Sequence, residues 1–250
     1  MLLEISIIIL VVFIGVVTQR VAGFGMPLFV IPTLLLFFSP AEAVTMTLLL
    51  GIVSSFFIFF ELKEKTTNHW RIILSIFPAL LLGIIVGSYT ITIVEKSILQ
   101  IVLGVLIVVT VNVQEHFSPK KLKKLEVNPQ LHLVSLVAGF FNATVALAGA
   151  PFVIWLRMHV IKPDQIRIFL AVLFIITNIF SISAIALFDP EIFNHEYFSI
   201  LLVVLPFIFF ANFLGKNIAN KINKEVYAKI VYMLLTVTGI ICMYLGFISI

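Results

Sequence analysis

Polar and backbone-breaking residues occur where an apolar chain should have none. From Met1 to Phe38 the sequence is nearly all apolar, yet it holds Thr18, Gln19 and Arg20, followed by Gly23, Gly25 and Pro27. A second group, Asn142, Thr144, Gly149 and Pro151, lies in the other half, and Asn178 is the most polar residue of the apolar stretch 166–188. Proline suits the first turn of a helix, where its missing N–H leaves no bond unmade. Helices restarting at Met26-Pro27 and Ala150-Pro151 would present free N–H groups and positive dipole ends, and Gly23, Gly25 and Gly149 would let backbone approach a ligand. Such a pair of helix starts prefers an anion, and Arg20 adds a full positive charge beside one of them. The competing reading is structural: Thr18, Gln19, Asn142 and Thr144 can serve as interhelical hydrogen-bond partners, and Arg20 can anchor a helix end by snorkelling.

The elements that must position these residues are membrane helices. Of 250 residues, 62% are hydrophobic and only 11% charged, with a mean hydropathy of +1.22. Soluble domains carry about 25% charged residues, so a soluble domain is excluded and the lipid bilayer is the first partner. Ten apolar segments are predicted, at 2–19, 26–38, 43–60, 72–91, 97–113, 131–149, 151–161, 166–188, 197–215 and 226–248. Segments 26–38 and 151–161 would cover roughly 20 and 17 Å as helices, short of the ~30 Å hydrocarbon core. Glu4 stands where a signal peptide would be basic, so no cleaved leader is expected. The single cysteine, Cys242, rules out a disulfide within the chain and a Cys-based metal site. His69, His116, His132, His159 and His195 are dispersed with no i,i+4 pair, so no cofactor, no metal site and no enzyme activity are expected. The net charge of +4 marks membrane sidedness rather than a nucleic-acid partner.

The two short segments occupy equivalent places in the halves. Without a gap, "GVVTQRVAGFGMP" (15–27) aligns with "GFFNATVALAGAP" (139–151), pairing Gly15 with Gly139, Val21 with Val145, Gly25 with Gly149 and Pro27 with Pro151. This ordered series predicts a first repeat at 1–113, a basic linker at 114–130 and a second repeat at 131–250. Each repeat is a broken-helix hairpin plus three transmembrane helices, an odd number, so the repeats are expected to be inverted. Charge agrees. Of the 16 Lys+Arg, all but Lys96 and Arg20 fall in loops 61–71, 114–130, 157–167 and 216–229, while Glu4, Glu42, Glu95, Asp189, Glu191 and Glu196 fall on the other side. The positive-inside rule makes the basic loops cytoplasmic and both termini external. Charge does not distinguish a re-entrant hairpin from two full spans. No carboxylate falls inside a predicted span, so no intramembrane proton relay is visible. The expected fold class is an all-α polytopic membrane protein built of two inverted repeats.

"GFGMPLFVIP" followed by "SPAEAVTMTLLLGIVSS", with the degenerate copy "AGAPFVIWLRMHVIKPDQIRIFLAVLFIITN", resembles the sulfite exporter TauE/SafE family over essentially the whole chain. Members typically carry a richer glycine run at the first break; here it is Gly23-Phe24-Gly25. The resemblance implies a cell-membrane transporter of a small sulfur oxyanion such as sulfite, thiosulfate or an organosulfonate, most often an exporter. An anion channel or an accessory subunit of a larger membrane complex is the alternative.

Overall fold

The computed structural model describes residues 2–63, 70–116, 128–157, 163–193, 195–221 and 224–249. Most of the predicted basic linker and the centres of the other basic loops lie outside them.

Among the described residues the fold is helical, with no strand: ten α-helices and a short 3₁₀ helix at Pro190–Ile192. In chain order the helices are α1 (Leu2–Ala22), α2 (Met26–Leu34), α3 (Pro40–Leu62), α4 (Trp70–Ile93), α5 (Lys96–His116), α6 (Pro129–Val145), α7 (Gly149–Arg157), α8 (Pro163–Phe188), α9 (His195–Lys221) and α10 (Lys224–Ile248). Seven of them, all but α2, α6 and α7, are long and apolar enough to cross a membrane. The chain is a multi-pass membrane protein.

The boundaries follow local chemistry. Ser39 caps α3: its hydroxyl accepts from the Glu42 N–H, and Glu42 Oε2 accepts in return from the Ser39 N–H, a reciprocal capping box followed by Pro40. Asn128 caps α6, its side chain accepting from the Leu131 N–H at 2.9 Å, with Pro129 next. Helix α1 ends at Gly23, with φ +87°, and α2 restarts after Gly25, with φ +114°. Helix α6 ends differently. Ala146 takes φ 51° and ψ 28°, and the N–H groups of Ala146 and Leu147 bond back to Asn142 and Phe141. This is a left-handed stop built on alanine, with the Ala146–Asn142 bond of the simple αL motif, where glycine or asparagine is usual.

Two sequence expectations shift. Segment 26–38 contains only nine helical residues, 26–34, and segment 151–161 yields α7 at 149–157. Each spans about 13 Å. Both α1 and α6 also move: α1 runs past residue 19 to Ala22, so Arg20 lies in its last turn rather than in a hairpin turn, and α6 stops at 145.

Helix packing repeats between the halves. Exchanging α1–α5 with α6–α10 carries the contact α4–α6 onto α9–α1, α4–α8 onto α9–α3, α1–α2 onto α6–α7, and α2–α3 onto α7–α8. The contacts α3–α8 and α5–α10 map onto themselves. Close glycine contacts give the directions. A Cβ at Gly104 would lie 2.5 Å from the Gly239 carbonyl, and one at Gly246 2.7 Å from both the Ser97 carbonyl and Ile101 Cγ1, so α5 and α10 run antiparallel. Gly83 faces Leu136 and Phe140 while Gly87 faces Phe140 and Ala143, so α4 and α6 run parallel. Such glycines let backbones meet where packing, not hydrophobic transfer, holds helices together in lipid.

Candidate functional site

The two broken segments meet. One cavity is lined by Phe24, Gly25, Met26 and Pro27 from the first break and by Ala146, Leu147, Gly149 and Ala150 from the second. Gln19, Thr47, Gly51, Phe174 and Asn178 complete its wall. Gly51 is the middle residue of α3, and a Cβ there would lie 2.8 Å from Asn178 Nδ2 and 3.7 Å from Met26 Cε. Gly149 abuts Phe174, near the middle of α8. The breaks therefore sit at mid-depth of the two central helices, where irregular backbone is tolerated only if it is buried in protein or lines a cavity. The cavity measures about 20 Å³, room for about one water. An oxyanion of four or more heavy atoms requires it to widen.

The donors facing this space are few. At α2, Pro27 has no N–H and Leu28 bonds to the Gly25 carbonyl at 3.1 Å, leaving the Met26 N–H without a backbone acceptor among the described residues. At α7, Ala150 bonds to Leu147 at 3.4 Å and Pro151 has no N–H, leaving that of Gly149. Gly25 gives α2 no side-chain cap. Gln19 Nε2 donates to Ser55 Oγ at 3.3 Å, and its buried Oε1 has no partner among the described residues. Turning the amide over lets Oε1 accept from the Ser55 hydroxyl and swings two donors round to the other side. Asn178 donates to the Leu48 carbonyl at 3.0 Å and accepts from Asn142 Nδ2 at 3.2 Å, which also reaches Ser181 at 3.0 Å. Asn142 thus braces Asn178 across α6 and α8 without lining the cavity.

Of the predicted site residues, Gln19, Gly25, Pro27, Gly149 and Asn178 line the cavity. Thr18, Arg20, Gly23, Asn142, Thr144 and Pro151 do not. Thr18 bonds the Ile14 carbonyl and the Tyr227 hydroxyl at 3.1 Å, and its methyl packs 3.2 Å from where a Gly25 Cβ would be. Thr144 bonds its own helix at Phe140. Gly23 packs under the Arg167 side chain.

Arg20 is the principal departure from the sequence reading. Its side chain is 4% exposed, and Nη2 donates to Glu61 Oε2 near the end of α3. Among the described residues Nε and Nη1 are buried without a partner. Arg167, taken from sequence as a topology residue only, donates from Nη2 to the Arg20 carbonyl at 2.6 Å. That bond satisfies one of the open carbonyls at the end of α1 with a cation, as the helix dipole favours. Glu61 lies just past the predicted span 43–60 but inside helix α3, so a carboxylate does stand within a candidate membrane span. A charged cluster of Arg20, Glu61, Arg167 and Asp164, whose carboxylate is 3.7 Å from Arg167, thus occupies one end of the bundle next to the cavity. Sequence spacing carried no signal for the Arg20–Glu61 pair, which is 41 residues apart. Among the described residues no cluster of His, Cys, Asp or Glu could hold a metal ion.

No curated protein and no solved structure matches the chain. The family model described as Sulfite exporter TauE/SafE matches residues 7–241. With two helix breaks meeting in a mid-depth cavity inside a multi-pass helical bundle, this match over nearly the whole length places the chain in the sulfite exporter TauE/SafE family of membrane transporters.

Proposed function

We propose that the protein carries a small sulfur oxyanion, sulfite, thiosulfate or an organosulfonate, outward across the cell membrane, and that it is not an enzyme. The observation that carries this reading is the convergence of both helix breaks on one mid-depth cavity. Discontinuous helices with starts at the membrane midplane, one from each repeat, are the usual construction of a transporter's binding site. The anion binds between the Met26 and Gly149 N–H groups, with Gln19 and Asn178 as side-chain partners. Arg20 is its cationic partner once Glu61 is displaced. Thr18, Asn142 and Thr144 hold the helix ends that carry these groups, and Gly23 and Pro151 shape the breaks.

The two halves, 1–113 and 131–250, act as inverted repeats joined by the linker 114–130. Support comes from the exchange of packing partners between halves and from the antiparallel run of α5 and α10, which are equivalent helices. The basic loops are cytoplasmic and both termini external, by the positive-inside rule. Export needs no coupling ion: one negative charge leaving through 100 mV gains about 2.3 kcal/mol, roughly fortyfold in concentration ratio.

The test is flux of ³⁵S-thiosulfate from proteoliposomes of the purified protein under an imposed potential. Saturable flux that an outward-driving potential accelerates is expected. Flux linear in concentration would instead favour the anion-channel alternative, and no flux without a second protein would make the chain an accessory subunit. Cysteines placed at Lys121 and Asn194 in a Cys242→Ala background test the topology. Asn194 should label with an impermeant reagent in whole cells and Lys121 should not.

A further inference from the structure

The mid-depth cavity is not the only polar recess. At the other end of the bundle from Arg20 and Glu61, the C-terminal end of α2, the start of α5 and the end of α10 line an open recess of about 380 Å³, larger than the mid-depth cavity. Its polar wall comes from Lys96, Ser97, Gln100 and Ser249, and its apolar wall from Leu35, Leu36 and Leu245. Ser249 is committed to the Leu245 carbonyl. Gln100 and Ser97 are not committed: they are 4% and 6% exposed, and neither side chain has a hydrogen-bond partner among the described residues. Both residues are otherwise buried, and their unbonded polar atoms open onto the recess, where they are free to take a ligand. The first bonded N–H of α5 is that of Leu99, to the Glu95 carbonyl at 3.0 Å, so the N–H groups of Lys96, Ser97 and Ile98 stay open at a 21-residue helix's positive end. Lys96 supplies a full charge there. Glu95 precedes it but does not line the cavity.

We infer that this cavity is a second oxyanion site, held by Lys96, Gln100, Ser97 and the N-terminus of α5. The ligand is a sulfonate, sulfate or phosphate-type head, and the leucine wall accepts a short apolar tail. Two sources share that chemistry: the transported solute on its way out, and the headgroup of an anionic lipid. Taking the first source rests on the proposed transport function. Helix α2 then links the sites, its Gly25–Pro27 end at the mid-depth cavity and Leu35 at this one, about 13 Å of helix between them. The site itself stands without that reading.

The experiment uses Ser249→Cys in a Cys242→Ala background, purified into phosphatidylcholine nanodiscs, with maleimide labelling rate as readout. Methanesulfonate and sulfate, both inert to maleimide, are the probes. Each should slow labelling. Lys96→Gln and Gln100→Leu should raise the half-protecting concentration about tenfold, the loss of one charge-assisted or buried hydrogen bond, and Lys96→Arg should retain protection. Phosphatidylglycerol in the nanodisc forms the second arm. If it protects and soluble sulfonate does not, the site belongs to lipid headgroups. If neither protects, or if protection survives both Lys96→Gln and Gln100→Leu, the inference is overturned. Gly149→Leu separates the two readings, because it should abolish thiosulfate flux while leaving protection at Ser249→Cys intact. Protection in Ser249→Cys, with no thiosulfate flux from that variant or from wild-type protein, would overturn the transport reading alone.

Discussion

Neutralising Glu61 should make the protein less stable and the substrate bind more tightly. The Arg20 side chain is 4% exposed and Glu61 25%, and among the described residues Glu61 is the guanidinium's one partner, through the bond from Nη2 to Oε2. Removing one member of a buried ion pair costs about 3–5 kcal/mol. In Glu61→Gln the amide oxygen still accepts, and a quarter-exposed position admits water, so about 2 kcal/mol is the expected loss, within the range for one charge-assisted bond. At about 2–4 °C per kcal/mol for a chain of this size, the melting midpoint should fall by about 4–8 °C. The effect on the ligand has the opposite sign. In the wild type an anion reaching Arg20 must displace a carboxylate worth about 1.5–3 kcal/mol. With glutamine the competitor is neutral, and affinity should rise about tenfold or more. Thermal unfolding of purified wild type, Glu61→Gln and Arg20→Lys across a thiosulfate titration reads both quantities, since bound ligand stabilises by RT ln(1 + [L]/Kd). Glu61→Gln should start lower and respond at lower thiosulfate; Arg20→Lys should respond weakly, because lysine lacks the planar fork. Equal thiosulfate responses in Glu61→Gln and wild type would refute the competition and leave Arg20 as a tie between α1 and α3.

Three further outcomes follow from the breaks and their packing. Gly25→Ala forces an L-residue to φ +114° and should cost about 1–3 kcal/mol; an unchanged melting midpoint would contradict the observed turn. Ala146→Gly relieves a left-handed alanine at φ 51° and should raise stability by about 1 kcal/mol while keeping thiosulfate binding, whereas a fall in stability would mean the alanine methyl packs better than its backbone suffers. Gly83→Ala puts a Cβ 2.1 Å from the Leu136 carbonyl, and because backbone cannot yield as a side-chain tip can, this variant should show poor folded yield by size-exclusion chromatography. A normal yield would mean α4 and α6 can separate freely.

The features legible in the sequence are those set by a few neighbouring residues. Apolar stretches near the length of a bilayer could only be membrane helices. Pro27 after Gly25, and Pro151 after Gly149, announced where helices restart, because proline lacks a donor and glycine adopts positive φ without steric cost. The match between 15–27 and 139–151 also told which breaks belong together, and both do line one cavity. What tertiary structure alone decided is the set of partners. Arg20 looked free from sequence because its counter-charge, Glu61, arrives on another helix, and the two could pair only once the assembled bundle had brought the ends of α1 and α3 within side-chain reach. Arg167 looked like a loop charge, yet α8 delivers it to the Arg20 carbonyl. Gly51 and Phe174 carried no local signal as cavity wall, since what qualifies them is standing at the middle of α3 and α8 opposite the breaks. Backbone punctuation is encoded by local sterics, whereas charge pairing and cavity walls depend on which helix faces are pressed together, and in an almost uniformly apolar sequence periodicity does not mark those faces.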